Sequence, residues 1–195
     1  EVLDLSEKKS DKLKVMVLEM VENEVEQVVS FHTAGADQSQ WNMKEIAEVA
    51  TTIFPLSKEE TEEVIAIEKI AGDKAQDAEA RTNIIEYLIN KAKNHYDILE
   101  SDIKEQSGSD TAMRMIEKEI LIRSIDNLWV DHLDAIDALR TGIGLRGYGQ
   151  RDPLIEYQRE SKQLFLQLQN LIQKQVVYSI YKIKGQVNFG SSIMD

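Results

Sequence analysis

DNLWVDHLDAIDALRTGIGLRGYGQRDPLIEYQRE, residues 126–160, places a glycine-rich turn between two segments with helical periodicity. On the N-terminal side of the turn, apolar residues recur at steps of three and four, which is typical of the buried face of an amphipathic helix. These apolar residues are Ile116, Ile120, Ile125, Leu128, Leu133, Ile136 and Leu139. The charged residues between them, which we expect on the solvent-facing side, are Arg114, Lys118, Asp131 and Asp134. The pattern predicts one long helix before the turn.

The turn itself is rich in glycine, since four of the eight residues from 142 to 149 are of this type. Each glycine costs up to about 1 kcal/mol relative to alanine inside a helix, so we expect the first helix to end there. Asp152 and Pro153 then mark a helix start, because aspartate can cap the free amides of the first turn and proline suits the first helical position. Apolar residues continue this second helix at Tyr157, Leu164, Phe165, Leu168, Leu171, Ile172, Val176 and Ile180. The two segments predict a long antiparallel helical hairpin.

The composition favours an all-α fold. The 195 residues are 42% hydrophobic, which is enough for a core in one domain or two small ones. Only two prolines and few aromatic residues are present, whereas a sheet protein carries more turn signals and more β-branched and aromatic residues. We expect very little strand.

The net charge of −12 is concentrated in the first half of the chain. Residues 1–110 contain 25 acidic against 12 basic residues, and residues 111–195 contain 10 against 11. Such an acidic surface repels phosphate backbones and anionic lipid, so we expect no nucleic-acid binding through it. The sequence has no cysteine, which fits a reducing compartment. No signal peptide is visible at the start, and no apolar run approaches the roughly 20 residues of a membrane-spanning helix.

The sequence before the hairpin predicts four helices, followed by a domain boundary. Helical periodicity covers residues 10–31, 41–54 and 84–99, and Ser57 with Glu60 forms a capping-box pattern for a further helix. The clearest break in the chain is SGSD at 107–110, where small polar residues separate the acidic half from the neutral half. We place the domain boundary there, with Asp110 as a cap for the helix that follows.

The turn carries side chains that a purely polar loop does not need. Large apolar or aromatic residues alternate there with cationic and amide residues, namely Ile143, Leu145, Arg146, Tyr148, Gln150 and Arg151. The residues alone leave two interpretations open: these side chains pack onto a neighbouring domain, or they form a contact surface for a partner.

The strings LW at 128–129, HL at 132–133 and LRGYGQRDP at 145–153 closely resemble the C-terminal part of the SecA family, the ATPase motors of bacterial protein export. The resemblance is specific over roughly residues 110–184 and rests on position and helical character before that. It implies a helical wing domain at 1–109, possibly with the end of a preceding scaffold helix, a two-helix finger of the helical scaffold domain at 110–184, and the start of a flexible linker at 185–195.

The resemblance also implies function. ATP and magnesium would bind in motor domains absent from this chain, while the finger would enter the cytoplasmic funnel of the SecYEG channel and contact an unfolded preprotein. Tyr148 would make that contact, together with other turn residues: Ile143, Leu145, Arg146, Gln150 and Arg151. Further partners would be the remaining SecA domains. The protein would be cytoplasmic and would associate peripherally, through the channel, with the inner face of the bacterial plasma membrane.

Catalytic chemistry is not indicated within the chain, and we expect no cofactor or metal in it. Residues 142–147 spell G-x-G-x-x-G, but a dinucleotide site requires a preceding strand and this pattern follows a helix. No G-x-x-x-x-G-K-[ST] occurs in the sequence, and the three histidines are far apart. An enzymatic reading would need a nucleotide site within the chain. The other competing hypothesis is a free-standing acidic helical adaptor, which would have no reason to carry LRGYGQRDP.

Three residues near the turn predict structural roles. Trp129 falls on or beside the apolar stripe, so we expect a packing anchor in a core. His132 should be hydrogen-bonded where the hairpin meets the wing. Arg140, near the end of the first arm, can interact with the last helix carbonyls and the helix dipole.

Overall fold

The computed structural model describes residues 7–34, 41–67, 74–146 and 152–185. Six α-helices and a terminal 3-10 helix account for most of these residues, and the described ranges contain no strand. The elements are α1 (Glu7–His32), α2 (Met43–Ile53), α3 (Lys58–Ala66), α4 (Lys74–Ser107), α5 (Ala112–Arg146), α6 (Pro153–Ile180) and the 3-10 helix Tyr181–Gly185. The prediction of an all-α fold with a long helical hairpin is confirmed.

Helix starts follow the predicted capping chemistry at two places. Ser57 accepts a hydrogen bond from the Glu60 amide at 3.1 Å, and the Glu60 carboxylate accepts one from the Ser57 amide at 2.9 Å. Asp152 accepts a hydrogen bond from the Leu154 amide at 2.8 Å, with Pro153 at the first helical position. Both arrangements satisfy amides that have no partner inside the helix.

The start of α5 differs from the prediction. Asp110 does not cap this helix; its carboxylate instead pairs with Lys104 at 2.5 Å. Between the two helices Gly108 has φ of 67°, a left-handed conformation that glycine adopts without the steric penalty of a Cβ. The predicted break at 107–110 is therefore present as the end of α4 and the beginning of α5.

The end of α5 also differs from the prediction. The helix continues through Gly142 and Gly144 to Arg146, so the expectation that it ends at the first glycines is wrong. A Cβ at either glycine would meet nothing within 4 Å, so no close packing requires these residues to be glycine. Each glycine costs about 1 kcal/mol, and a helix that is already nucleated gains a hydrogen bond for each added residue. Residues 147–151 and 186–195 lie outside the described part of the chain.

The core is built around α1 and α4, which pack antiparallel. Each presents an apolar face with helical spacing, and the pairs Lys93 with Glu22 (2.7 Å) and Lys14 with Asp97 (2.9 Å) flank the contact. The buried residues are Leu13, Val17, Val21, Val25 and Val29 of α1 and Ala80, Ile84, Leu88, Ala92, Tyr96, Leu99 and Ile103 of α4. These side chains form a continuous apolar stripe on each helix, as burial by helix packing requires.

The base of the hairpin belongs to the same core. Met113 and Leu121 of α5 and Val176, Val177 and Ile180 of α6 are buried in one cluster with α1, α2 and α4. Helices α5 and α6 pack against each other along the hairpin, and both also contact α1. The break at 107–110 interrupts the helix but not the core, and the domain boundary assigned to it stays a prediction.

Beyond this base the hairpin has little to bury its apolar side chains against. At ~1.5 Å per residue α5 is about 50 Å long. Among the described side chains in the outer part of the hairpin, a few such as Leu139 and Leu168 are buried. Large apolar side chains that remain between 44% and 63% exposed are Trp129, Val130, Leu133, Leu154, Ile155, Phe165, Leu166 and Leu171. The structure is therefore a packed helical body with an arm that keeps an apolar surface.

Candidate functional site

The turn of the hairpin is only partly within the described residues. Ile143 is half-buried in the last turns of α5, and Leu145 and Arg146 end that helix, with side chains outside the described part of the chain. The predicted contact residues Tyr148, Gln150 and Arg151 lie in the stretch 147–151, which is also outside it. Contact by these residues stays a prediction.

The residues that resume the chain after the turn are well defined. Asp152 and Pro153 begin α6 as predicted, and the amide of Glu156 donates to the Asp152 carbonyl at 3.1 Å. Because α5 ends at Arg146 and α6 begins at Pro153, six residues connect the two arms. The connection is short, so the arms lie side by side close to the turn.

Trp129 does not occupy a core. Its side chain is 44% exposed and packs against His132, with ring centroids 5.6 Å apart. His132 in turn lies against Phe165 of α6 at 6.3 Å. The prediction of a buried tryptophan anchor is wrong for the described part of the chain, in which no further helix covers the ring at this level of the hairpin. We expected His132 to lie where the hairpin meets the wing. In the structure it lies between the two arms of the hairpin instead.

Arg140 also differs from its predicted role. Its guanidinium pairs with Asp137 at 2.6 Å, three residues earlier on the same helix, and both side chains are largely exposed. Because α5 continues six residues beyond Arg140, this side chain is not at the helix end where free carbonyls lie. The pair is an ordinary surface ion pair of small energetic value.

The root of the hairpin contains a buried group of charged side chains centred on Arg114. Its guanidinium donates to the Glu100 carboxylate and, at 3.1 Å, to the Tyr96 hydroxyl of α4. Those two bonds come from Nη2 of Arg114, whereas its Nη1 lies 3.1 Å from the carboxylate of Glu117. Arg114 is only 4% exposed, so the prediction that it faces solvent is wrong. Lys14 of α1 completes the group by pairing with Glu100 at 2.7 Å.

Glu117 is the most strongly perturbed acid of this group. It is fully buried on α5, and burial raises the pKa of its carboxyl to about 8, although the positive charge of Lys14 opposes the shift. Arg114 would favour the ionised form by itself. Arg114 Nη2 is shared by Glu100 and Tyr96, whereas Nη1 faces the Glu117 carboxylate at 3.1 Å, so the ion pair opposes the effect of burial on the pKa of Glu117.

A second buried carboxylate lies between α1 and α6. Glu24 is 2% exposed and accepts a hydrogen bond from the Tyr178 hydroxyl at 3.3 Å. Burial, followed by the nearby charge of Glu24, raises the pKa of Tyr178 above its usual value. Ser124 of α5 is also buried near the hairpin base. The helices of the hairpin thus meet α1 through polar and charged groups as well as apolar ones.

Binding sites for small ligands are not evident in the described ranges. Among residues 7–34, 41–67, 74–146 and 152–185, no three histidine, aspartate or glutamate side chains are grouped as metal ligands. Gly142 and Gly144 of the G-x-G-x-x-G pattern lie inside α5 rather than after a strand. In the same part of the chain, every helix is too short or too polar to cross a bilayer.

Comparison with known proteins decides the family. The family model of the SecA wing and scaffold domain matches residues 2–184, across both sides of the break at 107–110. The chain belongs to this family. SecA from Pelotomaculum thermopropionicum, described as a protein translocase subunit, is 37% identical over 174 residues, which are 89% of this chain and 18% of the relative.

Two further relatives carry the same description. The protein translocase subunit SecA of Desulforudis audaxviator is 34% identical over 173 residues, 88% of this chain and 18% of its own length. That of a Picosynechococcus strain is 44% identical over 101 residues, 51% of this chain and 10% of its own. The chain thus spans less than a fifth of the length of these curated relatives. Membership of the SecA family also argues against an adaptor of unrelated origin.

Sequence reasoning missed the charged root of this SecA wing and scaffold chain. The sequence pattern predicts a solvent-facing Arg114 and gives no role to Glu117, because charged residues on a helix are usually solvated. One signal was available: Arg114 and Glu117 share a face with Met113 and Leu121 at steps of three and four. A charged pair on a predicted buried face indicates ion pairing inside a core.

Proposed function

We propose that this chain is the wing and scaffold part of a protein-translocating ATPase and that its hairpin acts as the mechanical contact element. The observation that carries the proposal is the contrast between the two ends of the hairpin. Its root is fixed in the core by apolar packing and the Arg114 group, whereas its outer part keeps large apolar side chains exposed. A rigid arm with such a surface suits contact with other polypeptide.

Membership of the SecA family supports a separation between ATP binding in other domains and polypeptide contact by the hairpin. ATP and magnesium would bind in parts of the longer protein outside this chain, and the motion produced there would reach the hairpin through the scaffold helices. The relatives are named as translocase subunits, which supports an unfolded preprotein as the contacted polypeptide and the SecYEG channel as the site of contact. The protein would then be cytoplasmic and associate with the membrane through that channel.

The turn residues supply the proposed contact. Tyr148 offers an apolar ring to any side chain and a hydroxyl to a peptide backbone, so it can hold polypeptides of many sequences. The half-buried Ile143 extends this surface onto α5. Residues 1–109 would form the wing and residues 110–184 the scaffold hairpin.

Site-specific photocrosslinking tests this proposal in the full-length protein. A photoreactive residue at 143 or 148 should crosslink to a preprotein stalled in SecYEG vesicles, and only in the presence of ATP. Lys44 on α2 is a matched exposed position far along the chain from the hairpin, and crosslinking there should stay at background. Equal crosslinking at all three positions, or none at 143 and 148, would show that the hairpin end is not the contact.

A further inference from the structure

Helix α3 (Lys58–Ala66) has little apolar contact with the rest of the protein. Val64 is its one buried residue, and most of its other side chains are exposed. The flanking residues Leu56 and Ile67 are only partly buried against the core. A helix of nine residues is marginal by itself in water. The stability of α3 must therefore come largely from what holds it in place.

The charges of α3 also oppose its own helix. Its sequence, KEETEEVIA, contains four glutamates against one lysine. Glu59 and Glu63 are four residues apart, and Glu60 precedes Glu63 by three. Like charges at these spacings lie on neighbouring turns and destabilise a helix. The helical form of this segment consequently needs positive groups from another element.

Helix α4 supplies those groups. The ammonium of Lys91 lies 3.3 Å from the Glu60 carboxylate and 3.1 Å from that of Glu63. Nε2 of His95 lies 2.9 Å from Glu60, and the Tyr87 hydroxyl donates a hydrogen bond to Glu63. The Tyr87 ring also lies beside the Lys91 ammonium, with 5.2 Å between the nitrogen and the ring centroid. Two bases and one hydroxyl of α4 thus hold two carboxylates of α3.

One of these carboxylates both caps α3 and docks it. Oε2 of Glu60 accepts the hydrogen bond from the Ser57 amide that completes the capping box, and the same oxygen lies against His95. Oε1 of Glu60 faces Lys91. The contacts with α4 therefore orient the group that caps the helix, so folding of α3 and its docking on α4 are coupled.

We propose that α3 is an ionic latch, which is helical only while Lys91 and His95 hold its carboxylates and which unfolds locally when those contacts are weakened. The rest of the helical body stays folded, because the core between α1 and α4 takes only Val64 from this helix. Release uncovers Lys91, His95 and Tyr87, a cationic and aromatic face in the acidic half of the chain. Screening by salt, or an anionic group that competes for Lys91, shifts the equilibrium toward release.

Amide hydrogen exchange of the 195-residue chain at pH 7 measures this local opening. Raising sodium chloride from about 0.01 M to about 1 M shortens the screening length from ~30 Å to ~3 Å. The amides of residues 61–66, after division by their intrinsic exchange rates, should then exchange roughly threefold to tenfold faster, as expected for loss of partly exposed ion pairs. Amides of residues 84–96 of α4 should change by less than about twofold, which separates release of α3 from global unfolding.

Two lysine variants of α4 form a matched pair. Lys91→Gln should accelerate exchange at residues 61–66 in low salt by about the same factor, and it should reduce the remaining salt effect to within about twofold. Lys93→Gln removes a lysine of the same helix that pairs with Glu22 of α1 at 2.7 Å. This control should keep both the exchange rates of α3 and their salt dependence.

Three results would overturn the proposal: exchange at residues 61–66 that does not respond to salt, a salt response shared equally by residues 84–96, or equal effects of Lys91→Gln and Lys93→Gln on α3. The first two require no substitution, so they decide even if a variant fails to fold.

Discussion

Removing the Arg114 side chain should destabilise the chain far more than removing any surface arginine. The change Arg114→Ala takes away the partner of Glu100, Tyr96 and Glu117 at a site that is 4% exposed. Breaking a buried ion pair by deleting one member costs roughly 3–5 kcal/mol, because the remaining charge stays buried without compensation. For a chain of this length that corresponds to a fall in melting temperature of roughly 6–20 °C.

Denaturant and thermal melts followed by circular dichroism at pH 7 provide the measurement. Arg140→Ala is the control on the same helix, since Arg140 makes only the exposed pair with Asp137, and its effect should stay within about 0.5 kcal/mol. Adding Glu117→Gln to Arg114→Ala should recover part of the loss, because the second change removes a buried acid. Equal stabilities for Arg114→Ala and Arg140→Ala would show that the buried Arg114 group does not stabilise the base of the hairpin.

Three further predictions concern other parts of the chain. Burial raises the pKa of Glu60, but hydrogen bonds from the Ser57 amide, His95 and Lys91 outweigh burial and lower this pKa to about 2. Glu60→Gln should therefore reduce stability at pH 7, and the effect should disappear as pH falls from about 4.5 toward 2. Thermal melts across that pH range measure it. Asp152→Ala should cost about 1 kcal/mol in denaturant melts through loss of the α6 cap, and Asp152→Asn should recover most of it. Isothermal titration of the chain with Mg-ATP should show no saturable binding, and micromolar binding at unit stoichiometry would contradict this.

The parts of the fold that local chemistry decides could be predicted from the sequence. The capping box at Ser57 and the cap at Asp152 depend on residues within one helical turn, so the pattern was sufficient. The apolar periodicity of α1 and α6 was equally informative, because a long amphipathic stripe has few alternative structures.

The parts that depend on three-dimensional surroundings could not be predicted in the same way. Gly142 and Gly144 indicate a turn by propensity, but propensity is a weak preference that a long continuous helix overcomes. Trp129 lies on an apolar stripe, yet among the residues that the structure describes no further layer buries it. Arg114 carries a charge, yet partners on α4 allow its burial. In each case the missing information was the neighbouring element.

Tyr148→Ala in the full-length translocase tests the proposed contact between the end of the hairpin and transported polypeptide. Transport of a preprotein into SecYEG vesicles should be severely reduced, while the stability of the 195-residue chain should change by no more than about 0.5 kcal/mol, as expected of an exposed site. Tyr148→Phe should retain more transport than Tyr148→Ser, because apolar contact area is the proposed interaction. Normal transport by Tyr148→Ala, or a loss of several kcal/mol in the isolated chain, would contradict the assignment.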